Sequence, residues 1–229
     1  MRLLFLAAVL PAVFLMVQVY KLDRKEKEPV DLLVGLVFRS VLSVVIAIVL
    51  ERAGGIVLPM LLPEGTLAYN AAYFTLVVGL AEEGAKFYVL KRRTWDTPEF
   101  NCRFDGVVYA VTVSLGFALW ENISYVLQFG LQTALLRAVT AIPGHACFGV
   151  FMGVWYGAAK HCERAGGSKT KALLRRSVIV PMILHGIYDT IASLTGSLSM
   201  ILFIAYIAVL FLLGWATVRR AAREDLYFG

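Results

Sequence analysis

The chain has 229 residues, of which 59% are hydrophobic and only 17% are charged. Soluble domains carry about 25% charged residues, so this composition excludes a soluble globular enzyme, a disordered chain and a nucleic-acid-binding protein. The net charge of +6 gives no reason to revise that exclusion, since the placement of basic residues matters more than their sum in a membrane protein. Residues 1–229 are therefore expected to form one integral-membrane domain in contact with lipid.

Seven stretches of the chain are apolar and long enough to cross a bilayer, which takes about 20 helical residues each. They are 3–20, 31–50, 67–90, 104–127, 133–159, 173–194 and 198–218. The sequence thus predicts an all-α polytopic bundle of about seven transmembrane helices. Residues 51–65 are expected to connect the second and third spans. Because the basic cluster follows the first span rather than preceding it, this span is predicted to be an anchor and not a cleaved signal peptide.

Basic residues predict the orientation of the bundle. Most of the 22 Lys and Arg residues fall in the connections after the first, third, fifth and seventh spans, and the connections between are nearly free of them. Because basic connections face the cytoplasm, the N-terminus is predicted outside and the C-terminus inside the plasma (inner) membrane. The final EDLYFG resembles the recombinant protease site ENLYFQ, so residues 224–229 are either native or a tag remnant.

Several ionisable residues lie inside the predicted spans, where each costs about 2.5–3.5 kcal/mol on insertion scales. Two of these, Arg39 and Arg137, are solitary and are expected to extend to the nearby span ends. The others lie on spans three to six, together with one amide, and define a functional cavity of about residues 67–194. They are Glu82, Glu83, Lys86, Glu121, Asn122, His145, His185 and Asp189.

Spacing predicts how these side chains meet. Glu82 and Lys86 are four residues apart and are expected to pair, whereas Glu83 points about 100° away. His185 and Asp189 lie one turn apart, so the carboxylate can orient the imidazole. Pro143 and Gly144 stand directly before His145 and predict a kink or a break in a helix that lines the cavity.

Two chemistries fit this set, and both activate water. In the first, His145, His185 and Glu121 bind Zn²⁺ with one open position, with Asp189 behind them. In the second, no metal is needed, and Glu82 or its partner Glu83 acts as the general base. The histidines and Asn122 would then stabilise the oxyanion, and Lys86 would set the charge balance.

Four motifs occur in order along spans three to six. They are Glu82-Glu83-x-x-Lys86, Phe117-x-x-x-Glu121-Asn122, Gly144-His145 and His185-x-x-x-Asp189. Together they resemble the PrsW intramembrane proteases, which are similar to the CAAX prenyl endopeptidases and bacteriocin-immunity proteins. Those relatives typically have a histidine where Glu121 stands and an asparagine where Asp189 stands, and both differences favour the PrsW branch.

The resemblance implies an endopeptidase that cuts a single-span membrane protein, such as an anti-sigma factor, on its extracytoplasmic side to start a stress response. It leaves the metallo and glutamate mechanisms open. Two other functions would use the same cavity: a proton-coupled transporter, or a non-catalytic scaffold of the immunity type. The two halves of the chain do not mirror one another, which disfavours transport. The sequence gives no indication of oligomeric state.

Overall fold

The structure is a computed structural model that describes residues 2–228, with side chains for 4–228. Met1 and Gly229, the ends of the predicted domain, lie outside the described residues. The helices are α1 (Arg2–Leu22), α2 (Val30–Val57), α3 (Leu67–Ala72), α4 (Leu80–Thr94), α5 (Asp105–Phe129), α6 (Leu131–Val139), α7 (Ala141–Arg164), α8 (Thr170–Ala192) and α9 (Ser197–Arg223).

The all-α prediction is confirmed for the described part of the chain. Five helical stretches are long and apolar enough to cross a membrane, and they contain α1, α2, α5, α6 with α7, and α9. The two remaining predicted spans correspond to α4 and α8, whose charged residues lower their hydropathy. The seven-span count and the orientation therefore stay predictions, although both α4 and α8 pack inside the bundle.

The basic connections come together at one end of the bundle, which we call the basic end (residues 23–29, 95–104, 165–169 and 224–228). Asn101 donates a hydrogen bond to Glu26 at 3.0 Å, and Trp95 donates one to Glu163, also at 3.0 Å. These contacts join segments that are far apart in sequence, Glu163 being in the last turn of α7. Their meeting at one end is what the alternation of basic residues predicts, whichever side of the membrane that end faces.

Helix α5 lies at the centre of the bundle, and its residues 105–119 are all buried. Helix α7 packs directly on its backbone through glycines spaced four residues apart. A Cβ atom added at Gly153 would lie 2.4 Å from the Cα of Val107, and one at Gly157 would lie 2.1 Å from the carbonyl oxygen of Arg103. Such small-residue stripes let helices approach closely where no hydrophobic effect drives association. This close packing fixes the position of His145 relative to α5.

Two irregular segments interrupt the helices near the motifs. Residues Tyr73–Gly79 form a π-helical segment that joins α3 to α4 in one continuous run. Thr140, with φ −121° and ψ −77°, lies outside the helical conformation and separates α6 from α7. The predicted break before His145 is therefore confirmed, but it falls three residues ahead of Pro143, which occupies the first turn of α7 where proline is tolerated.

The connector predicted at residues 51–65 begins later than expected, because the preceding helix is longer. Helix α2 continues to Val57 and is followed by a single 3₁₀ turn at Leu58–Met60. Glu51 therefore lies on a helix of the bundle, where the sequence analysis expected a loop. Apolar residues continue past Glu51 and Arg52, so these two charges do not mark the end of the span.

The C-terminal tail packs against the basic end. Asp225 Oδ1 accepts hydrogen bonds from the backbone N–H of Phe104 at 2.7 Å and of Leu226 at 2.9 Å. An isolated antiparallel bridge joins Cys102 to Tyr227, and Phe228 packs on Phe100 with ring centroids 5.6 Å apart. Whatever the origin of residues 224–229, the tail through Phe228 belongs to the folded domain.

Candidate active site

The first turns of α4 carry a buried ionic group of three side chains. Lys86 Nζ lies 2.9 Å from Glu82 Oε2 and 2.8 Å from Glu83 Oε1. The predicted Glu82–Lys86 pair is thus present. The expectation that Glu83 points away is wrong, because the flexible lysine reaches the carboxylates at both i−4 and i−3. Lys86 and Glu83 are fully buried.

His145 connects this group to α5. Its Nδ1 lies 3.2 Å from Lys86 Nζ, and its Nε2 lies 3.1 Å from Glu121 Oε2. An ammonium group has no lone pair to accept with, so Nδ1 is the acceptor and Nε2 carries the proton that Glu121 accepts. The carbonyl oxygen of His145 accepts a hydrogen bond from Ser114 of α5 at 2.7 Å. The ring is therefore held at both nitrogens, and Ser114 holds the main chain that carries it.

His185 lies between carboxylates on both of its nitrogens. Nδ1 lies 3.0 Å from Glu83 Oε1, and Nε2 lies 3.3 Å from Asp189 Oδ2. Because ionised carboxylates only accept hydrogen bonds, this geometry suits an imidazolium that donates on both sides. The ring also stacks on Phe148 with centroids 4.8 Å apart. The predicted His185–Asp189 contact is present.

Arg137 is not solitary, contrary to the sequence-based expectation. It forms an ion pair with Glu121 at 2.9 Å and donates a hydrogen bond from Nε to Asn122 Oδ1 at 2.9 Å. Its guanidinium also lies over the Tyr125 ring. The break at Thr140 lets α6 fold back toward the end of α5. The hydrophobic pattern did not predict this, because residues 133–159 are apolar enough to form one continuous span.

Asn122 lies behind Glu121 and is fully buried. Its amide nitrogen donates to the carbonyl oxygen of Ala8 at 2.8 Å, while its oxygen accepts from Arg137. With both polar atoms engaged, Asn122 orients Arg137 and ties α1 to α5. This arrangement does not favour the predicted oxyanion role.

A cavity of about 850 Å³ lies beside the charge cluster, the name used here for Glu82, Glu83, Lys86, Glu121, Arg137, His145, His185 and Asp189. Six of the eight line it, and Glu83 and Lys86 lie behind the wall. The cavity continues to Gly196 and Met200 in the α8–α9 region, at the end of the bundle opposite the basic end. Apolar side chains such as Val44, Ile48 and Phe203 form much of its wall.

The cluster fits a divalent cation in charge and in donor type. Glu82, Glu83 and His145 each offer one ligand atom, and these atoms lie within 4.8 Å of one another. Glu83 Oε2 is buried and has no hydrogen-bond partner among the described residues. The four carboxylates outnumber the two permanent cations, Lys86 and Arg137. Carboxylate and imidazole are ligands that zinc accepts.

Lys86 limits where such an ion can bind. Its ammonium already contacts Glu82, Glu83 and His145 at 2.9, 2.8 and 3.2 Å. A metal held by the same three atoms would have to displace it. The trio predicted from the sequence, Glu121, His145 and His185, shares only His145 with this group, and it stays a prediction.

Two polar residues of the site escaped the sequence analysis. Arg137 was assigned to a span end, and Glu51 was assigned to a connector, yet both line the cavity. For Glu51 a signal existed, since apolar residues continue beyond it to Leu62 and place it inside a longer helix. For Arg137 the only hint was Thr140-x-x-Pro143, which fits a helix start better than a helix interior.

Comparison with known proteins agrees with this geometry. The model of the PrsW family intramembrane metalloproteases matches residues 28–215. Protease PrsW of Geobacillus kaustophilus is 36% identical over 183 residues, which are 80% of this chain and 76% of that protein. Protease PrsW of Shouchella clausii is 32% identical over 96% of this chain and 97% of its own length. Protease PrsW of Bacillus subtilis is 32% identical over 81% and 80%. No solved structure matches the chain.

The match spans every motif of the charge cluster and nearly all the helices. It identifies the enzyme class as a peptidase rather than a transporter or a scaffold, and its place as a multi-pass protein of the cell membrane. The family is a metalloprotease family, and the acidic and histidine side chains gathered here supply candidate ligands. This chain belongs to the PrsW family of intramembrane proteases.

Proposed function

We propose that this chain cleaves a single-span membrane protein, such as an anti-sigma factor, on the extracytoplasmic side of the membrane, as a site-1-type protease. The observation that carries the proposal is the cavity. It runs from Glu82 to the α8–α9 loop, away from the basic end, and its wall is largely apolar. A wall of this kind suits an unwound segment of a substrate helix, because the apolar side chains of that segment are shielded while its backbone reaches the charges.

Glu82 is the proposed general base. It is 7% exposed and lines the cavity, whereas its neighbour Glu83 is fully buried behind it. A carboxylate at the wall can take a proton from a water molecule beside the scissile carbonyl. Lys86 and Glu83 do not touch the substrate in this proposal. They fix the position of Glu82 and balance its charge.

Arg137 is the proposed electrophile of the site, and His145, whose only N–H is donated to Glu121, positions it through that shared carboxylate. Both line the cavity and share Glu121 as a partner, so they form one hydrogen-bonded unit of fixed orientation. Donors held in advance, in a site that excludes bulk water, stabilise developing negative charge on a carbonyl oxygen. His185 is held by Asp189 and Glu83 and is positioned to pass a proton to the leaving amine.

The metal is proposed to be zinc, held by His145 with Glu82 and Glu83, in which case Glu82 is a ligand and not the base, or by the trio Glu121, His145 and His185, which leaves Glu82 as the base. A bound zinc ion supplies Lewis-acid chemistry, polarising a carbonyl and favouring deprotonation of water. If the first set binds it, Lys86 must move, and zinc affinity should rise in Lys86→Met. If the second set binds it, Lys86→Met should change zinc affinity little. The zinc content of purified protein, with and without chelator, decides whether either applies.

The proposal is tested by co-expressing the protein with a tagged single-span substrate and following cleavage on immunoblots. Glu82→Gln should lower cleavage about 100-fold or more, because a general base contributes about 10²–10⁴. Glu51→Gln is the matched control, since Glu51 is a carboxylate of the same cavity without an ion pair among the described residues. Its cleavage should stay near wild type. Full cleavage by Glu82→Gln, with Glu51→Gln inactive, would overturn the assignment.

A further inference from the structure

A second group of buried carboxylates lies at the basic end, far from the cavity. Asp23 and Glu28 come from the α1–α2 connection, and Asp105 begins α5. They are 1%, 3% and 0% exposed. Each offers one oxygen, and the three oxygens lie within 4.8 Å of one another. We call these three residues the acidic cluster.

The acidic cluster has too few hydrogen-bond donors. Both carboxylate oxygens of Asp23 and Oδ1 of Asp105 are buried without a hydrogen-bond partner among the described residues. The other oxygen of Asp105 accepts from the backbone N–H of Asn101 and Cys102 at 3.0 and 2.6 Å. Glu28 accepts from the Tyr109 hydroxyl. A buried carboxylate without partners costs several kcal/mol, so the cluster needs a proton or a cation.

Among residues 4–228, whose side chains are described, no basic side chain supplies that charge through an ion pair. No Lys or Arg nitrogen lies within 4.0 Å of a carboxylate oxygen of the acidic cluster. Lys27 is close, but its ammonium donates to the main-chain carbonyls of Tyr20 and Asp23. The unpartnered Asn101 Oδ1 and Asp225 Oδ2 add two more buried acceptors at this end.

We propose that the acidic cluster binds one hard divalent cation, Mg²⁺ or Ca²⁺, that joins the α1–α2 connection to the start of α5. Every ligand atom is an oxygen, which these cations prefer and which gives zinc no soft or imidazole partner. The unpartnered oxygens of Asp23 and Asp105 are the first ligands, with Glu28 as the third. This site is separate from the charge cluster, so its existence does not depend on the proteolytic mechanism.

The site also explains why these acids are buried where the chain is most basic. A bound cation would tie together α1, α2 and α5 at the end where their connections meet. The neighbouring Asp225 links the C-terminal tail to the same region through Phe104 N–H. The expected role is to hold this end of the bundle closed.

The first test is Mn²⁺ binding to the purified full-length protein in detergent, followed by paramagnetic resonance at pH 7.5, with Mg²⁺ and Ca²⁺ as competitors. Wild type should bind one Mn²⁺ that both competitors displace. Asp23→Asn should weaken this binding roughly tenfold or more, because cation affinity follows the number of charged ligands. Asp31→Asn, an exposed carboxylate in the first turn of α2, is the matched control and should bind as wild type does.

A second variant separates the two cation sites. Glu83→Gln alters the charge cluster only, so Mn²⁺ binding at the acidic cluster should persist in it. The inference is overturned if wild type binds no Mn²⁺, if Asp23→Asn binds it as well as Asp31→Asn does, or if Glu83→Gln alone abolishes binding.

Cys102 gives a local measurement that needs no variant. Its thiol is 1% exposed, and its backbone N–H donates to Asp105. Saturating Mg²⁺ should slow alkylation of Cys102 several-fold by stabilising the closed end, while leaving Cys162 of α7 unchanged, as read by mass spectrometry. Equal alkylation of Cys102 with and without Mg²⁺ would contradict the proposal even if Asp23→Asn failed to fold.

Discussion

The charge cluster and the acidic cluster are both buried, yet they solve the problem of buried charge differently. In the charge cluster, Lys86 stands one helical turn after Glu82 and Glu83 and compensates both from the same helix. In the acidic cluster, Asp23, Glu28 and Asp105 come from two separate segments, and no Lys or Arg with a described side chain forms an ion pair with their carboxylates. One group carries its counter-charge with it, and the other must obtain a proton or a cation from outside.

The difference has a functional meaning. A site that must change its protonation in every catalytic cycle benefits from a permanent cation nearby, since the charge stays balanced while protons move. A site that only joins segments together can rely on an ion that stays bound. Variants that remove one partner at a time separate the two cases.

Removing Lys86 should have the largest effect, because it turns the charge cluster into an uncompensated acidic group. Lys86→Met should lower the free energy of unfolding by about 3–5 kcal/mol, the usual cost of breaking a buried ion pair on one side. The measurement is thermal unfolding of purified protein in detergent with chelator present. Lys86→Arg keeps the charge and should lose less. An unchanged unfolding temperature in Lys86→Met would show that the lysine compensates nothing.

Removing Arg137 should have a smaller effect, because its partner Glu121 keeps the hydrogen bond to His145. Arg137→Met should cost about 1.5–3 kcal/mol, the range for hydrogen bonds to charged groups, and should lower substrate cleavage. The control is Arg39→Met, since Arg39 is exposed and donates only to Gly35 of its own helix. Equal losses in the two variants would contradict the ion-pair network around Glu121.

Removing the hydroxyl that donates to the acidic cluster should lower the free energy of unfolding by less than either of these changes. Tyr109→Phe deletes the hydroxyl that donates to Glu28 and should lower stability by about 1–2 kcal/mol. Tyr227→Phe is the control, because that hydroxyl is exposed and its hydrogen bond to Glu26 is long, at 3.4 Å. The loss of stability in this variant should be near zero. Chemical unfolding of both variants gives the comparison. A negligible loss in Tyr109→Phe would mean that Glu28 is satisfied in another way.

The acidic cluster should also make stability depend on pH when no cation is bound. Burial raises the pKa of Asp23 to about 6, although the nearby charge of Lys27 lowers it in part. Burial also raises the pKa of Glu28 to about 7, although the hydrogen bond from Tyr109 acts in the opposite direction. The native state therefore holds these protons more tightly than the unfolded state. The stability that these two groups contribute is greatest below about pH 4, and this contribution is lost as the pH rises through 6 to 7.

The corresponding measurement is the unfolding temperature of wild type in chelator between pH 4.5 and 7.5. It should fall by a few degrees across the window, and Asp23→Asn should flatten the curve. An identical slope in the variant would remove Asp23 as the cause. Addition of Mg²⁺ should oppose the fall at the upper end.

Much of this molecule could be predicted from local rules. The all-α class follows from the long apolar stretches, and the Glu82–Lys86 contact follows from a spacing of four residues. The His185–Asp189 contact has the same origin. Each depends on residues within one helix, where geometry is fixed by the backbone. The meeting of His145 with Lys86, by contrast, joins two helices and does not follow from the spacing within either of them.

What could not be predicted depends on where the chain bends. Arg137 joins Glu121 because the break at Thr140 returns α6 toward α5, and a single helix would have carried the arginine elsewhere. Glu83 joins the cluster because a lysine side chain is long enough to bridge two neighbouring positions. The acidic cluster joins the α1–α2 connection to the first residue of α5, and the conformation of a connection shows no periodic pattern in the sequence.

The packed tail has a consequence for biosynthesis. Phe104 at the start of α5 has its backbone N–H bonded to Asp225, a residue made 121 positions later. Domains begin to fold from the N-terminus as they are synthesised, so α1 to α5 can insert and pack while this end is still incomplete. This hydrogen bond can form only once Asp225 has left the ribosome. Closure of the basic end is thus coupled to synthesis of the segment that follows α9.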